Sequence, residues 1–155
     1  MHKLGIIHRD LKPANILVAK DSNGFDEASK LIIADLGISF KLRDANDSSA
    51  WRIGTVGFMA PEVFTGQDYT HSCDIFSLGC LLYWFISSKR PFWSIYPDYR
   101  LEALLQNNLN LDSDEDFQGV SEPCKHLIRQ MLEKNPQNRP SIEQVVSHQW
   151  VVLNS

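Results

Sequence analysis

Eight consecutive residues hold most of the reactive chemistry in this 155-residue sequence. His8-Arg9-Asp10-Leu11-Lys12-Pro13-Ala14-Asn15 packs an imidazole, two cations, a carboxylate and a primary amide into one short run. A carboxylate so placed can orient a hydroxyl and take its proton, while a nearby cation offsets developing negative charge. Three further polar clusters follow in order: Asp35-Leu36-Gly37, Gly54-Thr55 and Ala60-Pro61-Glu62. Singly, each is weak. A lone Asp in a loop is more often a turn or cap residue than a base, and Asp-x-Gly is a common turn. The joint match is what counts. Fixing only His, Arg, Asp, Lys and Asn in the first run gives a chance match of roughly one in three million per start position, at about 5% usage per residue type.

The first run fits the pattern H-R-D-L-x-x-x-N, and the later clusters fit D-F-G (with Leu36 for Phe) and A-P-E. In this order they resemble the C-terminal lobe of a eukaryotic-type protein kinase, Ser/Thr type, over essentially the whole chain. The resemblance implies transfer of the ATP γ-phosphoryl group to protein Ser/Thr hydroxyls, with ATP and Mg2+ required. It makes Asp10 the catalytic carboxylate, Lys12 the cation beside the moving phosphoryl group, and Thr55 the hydroxyl bonded to both. Asn15 and Asp35 become the metal ligands, and Leu17 the floor under adenine. His8 and Leu36 belong to a hydrophobic stack, with Gly37 freeing the turn after the metal ligand. Asp74 accepts hydrogen bonds from the catalytic-loop backbone, and Glu62 pairs with Arg139. Arg9 invites a phosphate from the activation segment, with Ser48 or Ser49 as acceptor. Ala14 and Trp84 stand where kinases that select upstream arginine often carry Glu, which implies no strong arginine direction.

The elements that must position these residues can be read from pattern. Leu4–Ile7, Ile16–Ala19 and Leu31–Ala34 read as strands, with Asn23-Gly24 as a hairpin tip. Residues 35–60 lack a steady period and read as one long loop, a length usually tied to function. Asp74–Ile86 is apolar on nearly every face, so it reads as a buried helix, with Leu81 and Phe85 in the core along with Leu17. Residues 97–106 and 121–134 read as helices. Ser141-Ile142-Glu143-Gln144 matches a capping box that starts a last helix to about Trp150. The fold class is α+β, mostly α-helical: a kinase-like C-terminal lobe with a small β-hairpin layer and a long activation segment. Residues 1–155 form one domain, with the N-terminal lobe absent.

Composition sets the limits. The net charge is −4, from 15 basic and 19 acidic residues, so an electrostatic grip on nucleic acid or anionic membrane is not expected. The longest uncharged run, Ile75 to Ser88, is shorter than the roughly 20 residues that span a bilayer. Cys73, Cys80 and Cys124 form no Cys-x-x-Cys, which suits a reducing, intracellular and cytoplasmic setting. No glycine-rich loop or phosphate-pairing strand lysine precedes the first run. Two readings compete: a kinase fragment that needs its missing N-terminal lobe as partner, and a catalytically inactive truncated lobe acting as a binding or scaffolding module. On the first reading, residues 1–155 alone transfer little or no phosphate, and the surface that the other lobe covers is exposed.

Overall fold

The computed structural model describes residues 1–19, 30–43, 49, 51–94, 99–106 and 108–154. Strands β1 (Ile6–Ile7), β2 (Ile16–Ala19), β3 (Lys30–Ile33) and β4 (Phe40–Lys41) come first. Helices α1 (Pro61–Thr65), α2 (Ser72–Ser87), α3 (Arg100–Gln106), α4 (Glu122–Met131), α5 (Ile142–Val146) and α6 (Gln149–Leu153) follow. Among the described residues the strands form two antiparallel pairs. β1 faces β4, with Ile7 opposite Phe40. β2 faces β3 in a register running from Ile16–Ile33 to Ala19–Lys30.

The body is built around α2. Cys73, Phe76, Cys80, Leu81 and Tyr83 are almost fully buried along it. Each large apolar side chain so buried contributes roughly 1.5–3 kcal/mol of transfer free energy. Against α2 packs α4, whose Cys124, Leu127, Ile128 and Met131 recur at helical spacing and are all buried. That stripe is the one-sided pattern of a helix with a single packed face. Trp150 and Val145 close the far side of the same core.

Several expectations are corrected. β4 interrupts the segment read as one long loop, because its backbone pairs with β1. The first strand keeps only Ile6–Ile7, since Leu4 closes a 3-10 turn over His2–Leu4. The last helix is two. The Ser141–Gln144 capping box forms as expected, but Ser147 ends α5, and the His148 imidazole accepts the Trp150 N–H at 3.2 Å to start α6. The helix read over 121–134 ends at Met131; the chain must leave helical geometry before Pro136, where ring sterics disfavour it. Pro61 at the first position starts a helix, α1, that periodicity did not reveal. Phe85 and Leu17, read as core, are 57% and 51% exposed. Phe85 lines an apolar hollow with Leu31 and Ile33, whereas Leu17 lies opposite Ile32 on the other face of the β2–β3 pair, and all five are about half exposed or more. The hairpin tip Asn23-Gly24 lies outside the described residues. No helix among them is long and apolar enough to cross a membrane.

Candidate active site

The run His8–Asn15 leaves β1 and returns into β2, so both ends are tied to strands. Its conformation is set by Asp74 in the first turn of α2. One carboxylate oxygen accepts the His8 backbone N–H at 2.8 Å, and the other accepts the Arg9 N–H at 2.9 Å. His2 Nε2 adds a contact at 2.9 Å. These bonds hold Arg9 at φ 72°, a left-handed conformation that costs a non-glycine residue about 1–3 kcal/mol and clusters at functional positions. Asp35 shares the feature at φ 64°.

Asp10 is thereby turned toward the loop that carries Thr55. Thr55 Oγ1 donates to Asp10 Oδ1 at 2.5 Å. The Lys12 ammonium donates to the same Thr55 oxygen at 2.9 Å and pairs with Asp10 Oδ2 at 2.6 Å. Asn15 Nδ2 donates to the Asp10 carbonyl at 2.9 Å and to its Oδ2 at 3.2 Å. Gly54 makes the approach possible: at φ 128°, a Cβ on it would stand 2.6 Å from the Arg9 carbonyl oxygen. Any side chain there would push the Thr55 loop off the His8–Asn15 run.

Asn15 points its amide nitrogen at Asp10, which leaves its Oδ1 without a hydrogen bond among the described residues. Asp35 is exposed, and among the described residues its carboxylate accepts only the Gly37 N–H, at 3.2 Å. The Asp35 end of β3 is tied to the run by Ala34, whose N–H bonds the Asn15 carbonyl at 2.9 Å and whose carbonyl meets His8 Nε2 at 3.0 Å. Two hard oxygen donors with open valence suit a magnesium ion, which binds through one or two protein oxygens and keeps waters and phosphates for the rest. No cluster of three or more His, Cys, Asp or Glu side chains forms a metal cage among the described residues.

Glu62 and Arg139 meet as the resemblance implied. The fork is bidentate, Nη1 to Oε1 at 2.5 Å and Nη2 to Oε2 at 2.7 Å. The remaining donors go to the carbonyls of Ser72, Lys134 and Glu133. All five guanidinium N–H groups are used, which is what a fully buried charge requires.

The remaining sites divide. Ser49 is buried, at 4% exposure, and its hydroxyl lies 3.2 Å from Arg9 Nη1 and donates to the Tyr69 hydroxyl at 3.1 Å. Ser48 lies outside the described residues. His8 is fully enclosed, whereas Leu36 is 55% and Leu17 51% exposed. Two participants escaped the motif reading. Tyr69 ties Ser49, Arg9 and the Trp51 carbonyl together, and His2 reaches Asp74. Neither lies in a recognisable pattern; only the fold brings them in.

Residues 1–151 match the family described as the protein kinase domain, and the chain belongs to the eukaryotic-type protein kinase family. It is 38% identical over 150 residues to calcium-dependent protein kinase 25 of Arabidopsis thaliana, covering 97% of this chain and 28% of that protein. It is also 38% identical over 154 residues to ribosomal protein S6 kinase alpha-6 of Danio rerio and alpha-1 of Homo sapiens, covering 97% of this chain and 20% of each. The chain thus spans between 20 and 28% of the length of these relatives.

Proposed function

We propose that this chain is the catalytic C-terminal lobe of a Ser/Thr protein kinase. The observation that carries the reading is the bonded cluster of Asp10, Lys12 and Thr55. Phosphoryl transfer demands positioning and charge neutralisation above all. Asp10 orients the acceptor hydroxyl and accepts its proton. Lys12 sits close enough to Asp10 and Thr55 to shift toward a transferring phosphoryl group and offset its charge. Thr55 fixes the relative position of the two. Asn15 and Asp35 hold Mg2+, which supplies charge neutralisation on the ATP phosphates when bound. Leu17 lies beneath adenine, and its exposure leaves it open to such contact.

A glycine-rich phosphate cover has no counterpart in residues 1–155, so the chain alone is assigned little activity; misplacement by an ångström costs about a hundredfold. The test is a transfer assay with γ-labelled ATP and Ser/Thr peptides, on residues 1–155 alone and on a chimera bearing a relative's N-terminal lobe. Transfer by the chimera, lost in Asp10→Asn, is expected. A folded chimera without transfer, or one indifferent to Asp10→Asn, sinks the reading.

Regulation is assigned to Arg9, which a phosphate on Ser48 or Ser49 would meet. Ser49 already touches Arg9, and its burial requires the segment to open before a modifying enzyme reaches it. Unchanged activity of a Ser48→Ala/Ser49→Ala chimera removes this assignment. Free, buried Cys73, Cys80 and Cys124 support a reducing, cytoplasmic setting.

A further inference from the structure

Beside the Thr55 loop lies a cationic surface that the phosphoryl-transfer residues leave unused. Trp93, 38% exposed, carries two guanidiniums: Arg90 Cζ lies 4.1 Å and Arg100 Cζ 4.3 Å from its ring centroid. Arg90 also lies 5.7 Å from the Phe58 ring. Neither arginine pairs with a carboxylate among the described residues, whereas Arg129 and Arg139 each do. Among the described residues Arg100 spends its Nε on the Ser94 carbonyl at 3.3 Å and bonds no partner through its two terminal nitrogens. Glu102 shares α3 with Arg100, but helix neighbours two apart do not face each other.

A guanidinium over an indole is held there by attraction to the ring face. The ring accepts no forked bond from its N–H groups, which remain available for those that a carboxylate or phosphate accepts. Trp93 therefore gathers two cations without neutralising them.

Gly57 links this surface to the catalytic run. At φ 96°, a Cβ on Gly57 would stand 2.5 Å from Arg90 Cδ and 3.2 Å from Trp93 Cε3. The Arg90 and Trp93 side chains thus press against the backbone two residues past Thr55, whose hydroxyl is bonded to Asp10. Two residues of chain span at most about 7 Å. A peptide that offers its hydroxyl to Asp10 must pass within a few residues of these cations.

We infer that Arg90 and Arg100, gathered by Trp93, select acceptor peptides carrying an anionic side chain, carboxylate or phosphate, within three residues of the acceptor hydroxyl. The inference rests on the kinase reading for where the peptide lies. It is also consistent with Ala14 and Trp84, which offer no carboxylate to an arginine-bearing peptide.

The test reads binding, without ATP. Dye-labelled alanine decapeptides with one central Ser carry Ala, Glu, phosphoserine or Lys at each of the three positions on either side. Fluorescence anisotropy measures their affinity for the 155-residue chain. At one register, Glu or phosphoserine is expected to bind about tenfold tighter than Ala, with Lys weakest. The advantage should shrink as salt rises from about 50 to 300 mM. Arg90→Gln/Arg100→Gln should abolish it, and Arg90→Lys/Arg100→Lys should retain part of it. Separate Glu and phosphoserine arms show whether the anion is a plain acidic residue or a prior phosphate. If circular dichroism shows the double Gln variant unfolded, Arg100→Gln alone must lower the advantage. Equal affinity of Glu, phosphoserine and Ala peptides, absence of binding by any, or an advantage that survives these Gln substitutions overturns the inference. Failure of the chimera to transfer phosphate, with the anion preference intact, overturns the kinase reading instead.

Discussion

Asp10 and Asp74 are both buried aspartates, 9% and 3% exposed, yet they are held in opposite ways. Asp74 spends its oxygens on two backbone N–H groups and an imidazole, donors fixed by the chain path. Asp10 is held by the tips of Lys12, Thr55 and Asn15, three side chains that can give way to other partners. The Glu62–Arg139 fork belongs with Asp74, since every donor is used and no solvent reaches it. Fixed donors make a carboxylate into a strut. Exchangeable donors leave it free to take another partner, which is what the proposed kinase role of Asp10 needs.

Breaking the strut should cost most. Arg139→Met strands a buried carboxylate and should lower unfolding free energy by about 3–5 kcal/mol, measured by urea titration. Glu62→Leu/Arg139→Met should recover most of that loss, because the desolvation penalty vanishes with both charges. A double variant as unstable as the single one would show that the fork itself, not the stranded charge, supplies the stability.

Asp74→Ala leaves two backbone donors without acceptors and should destabilise by about 2–4 kcal/mol. It should also release Arg9 from its left-handed conformation, read as faster amide exchange of His8 and Arg9. Slow exchange in the variant would mean that other contacts hold the loop.

Lys134 sharpens the comparison from the side of cost. Burial pushes its ammonium down to about 8, although it donates to the Leu104 carbonyl at 2.5 Å and lies over the Phe92 ring. Its folded value is below its unfolded value of 10.5, so the unfolded chain binds more protons between about pH 8 and 10.5. The contribution of Lys134 to stability is therefore lowest below pH 8 and rises across that window. Burial raises the thiol values of Cys73 and Cys80, which acts the other way above pH 9, so the readout is the difference between wild type and Lys134→Met. That difference should shift in favour of wild type from pH 8 to 10.5. Parallel denaturation curves for the two proteins would refute the shift.

The Asp10 site should be the cheapest to alter. Thr55→Ala removes one partly exposed hydroxyl and should cost about 0.5–1.5 kcal/mol in urea titration. A loss as large as that for Asp74→Ala would place Thr55 among the struts.

Much of the site was legible because covalent neighbours carry it. Asp10, Lys12 and Asn15 fall within six positions, and their types and spacing survive any error in strand or helix bounds. The α4 stripe and the Ser141–Gln144 capping box were legible for the same reason, since helical period and capping are local. The break between α5 and α6 was not, because a histidine that caps by its ring nitrogen has no distinctive sequence signal. Nor was the exposure of Leu17 and Phe85, since apolarity says what a residue prefers and not what is there to cover it.

The sequence by itself determined which groups could react, their order along the chain, and the helices whose apolar faces had to be buried. Tertiary structure alone decided the distances. It brought Thr55 onto Asp10, Asp74 under the His8 and Arg9 amides, Arg139 into Glu62, and Arg90 and Arg100 onto Trp93. The reason is physical: hydrogen bonds and ion pairs act over about 3 Å, while these partners stand up to tens of residues apart. Only packing of α2 against the rest of the body closes that gap.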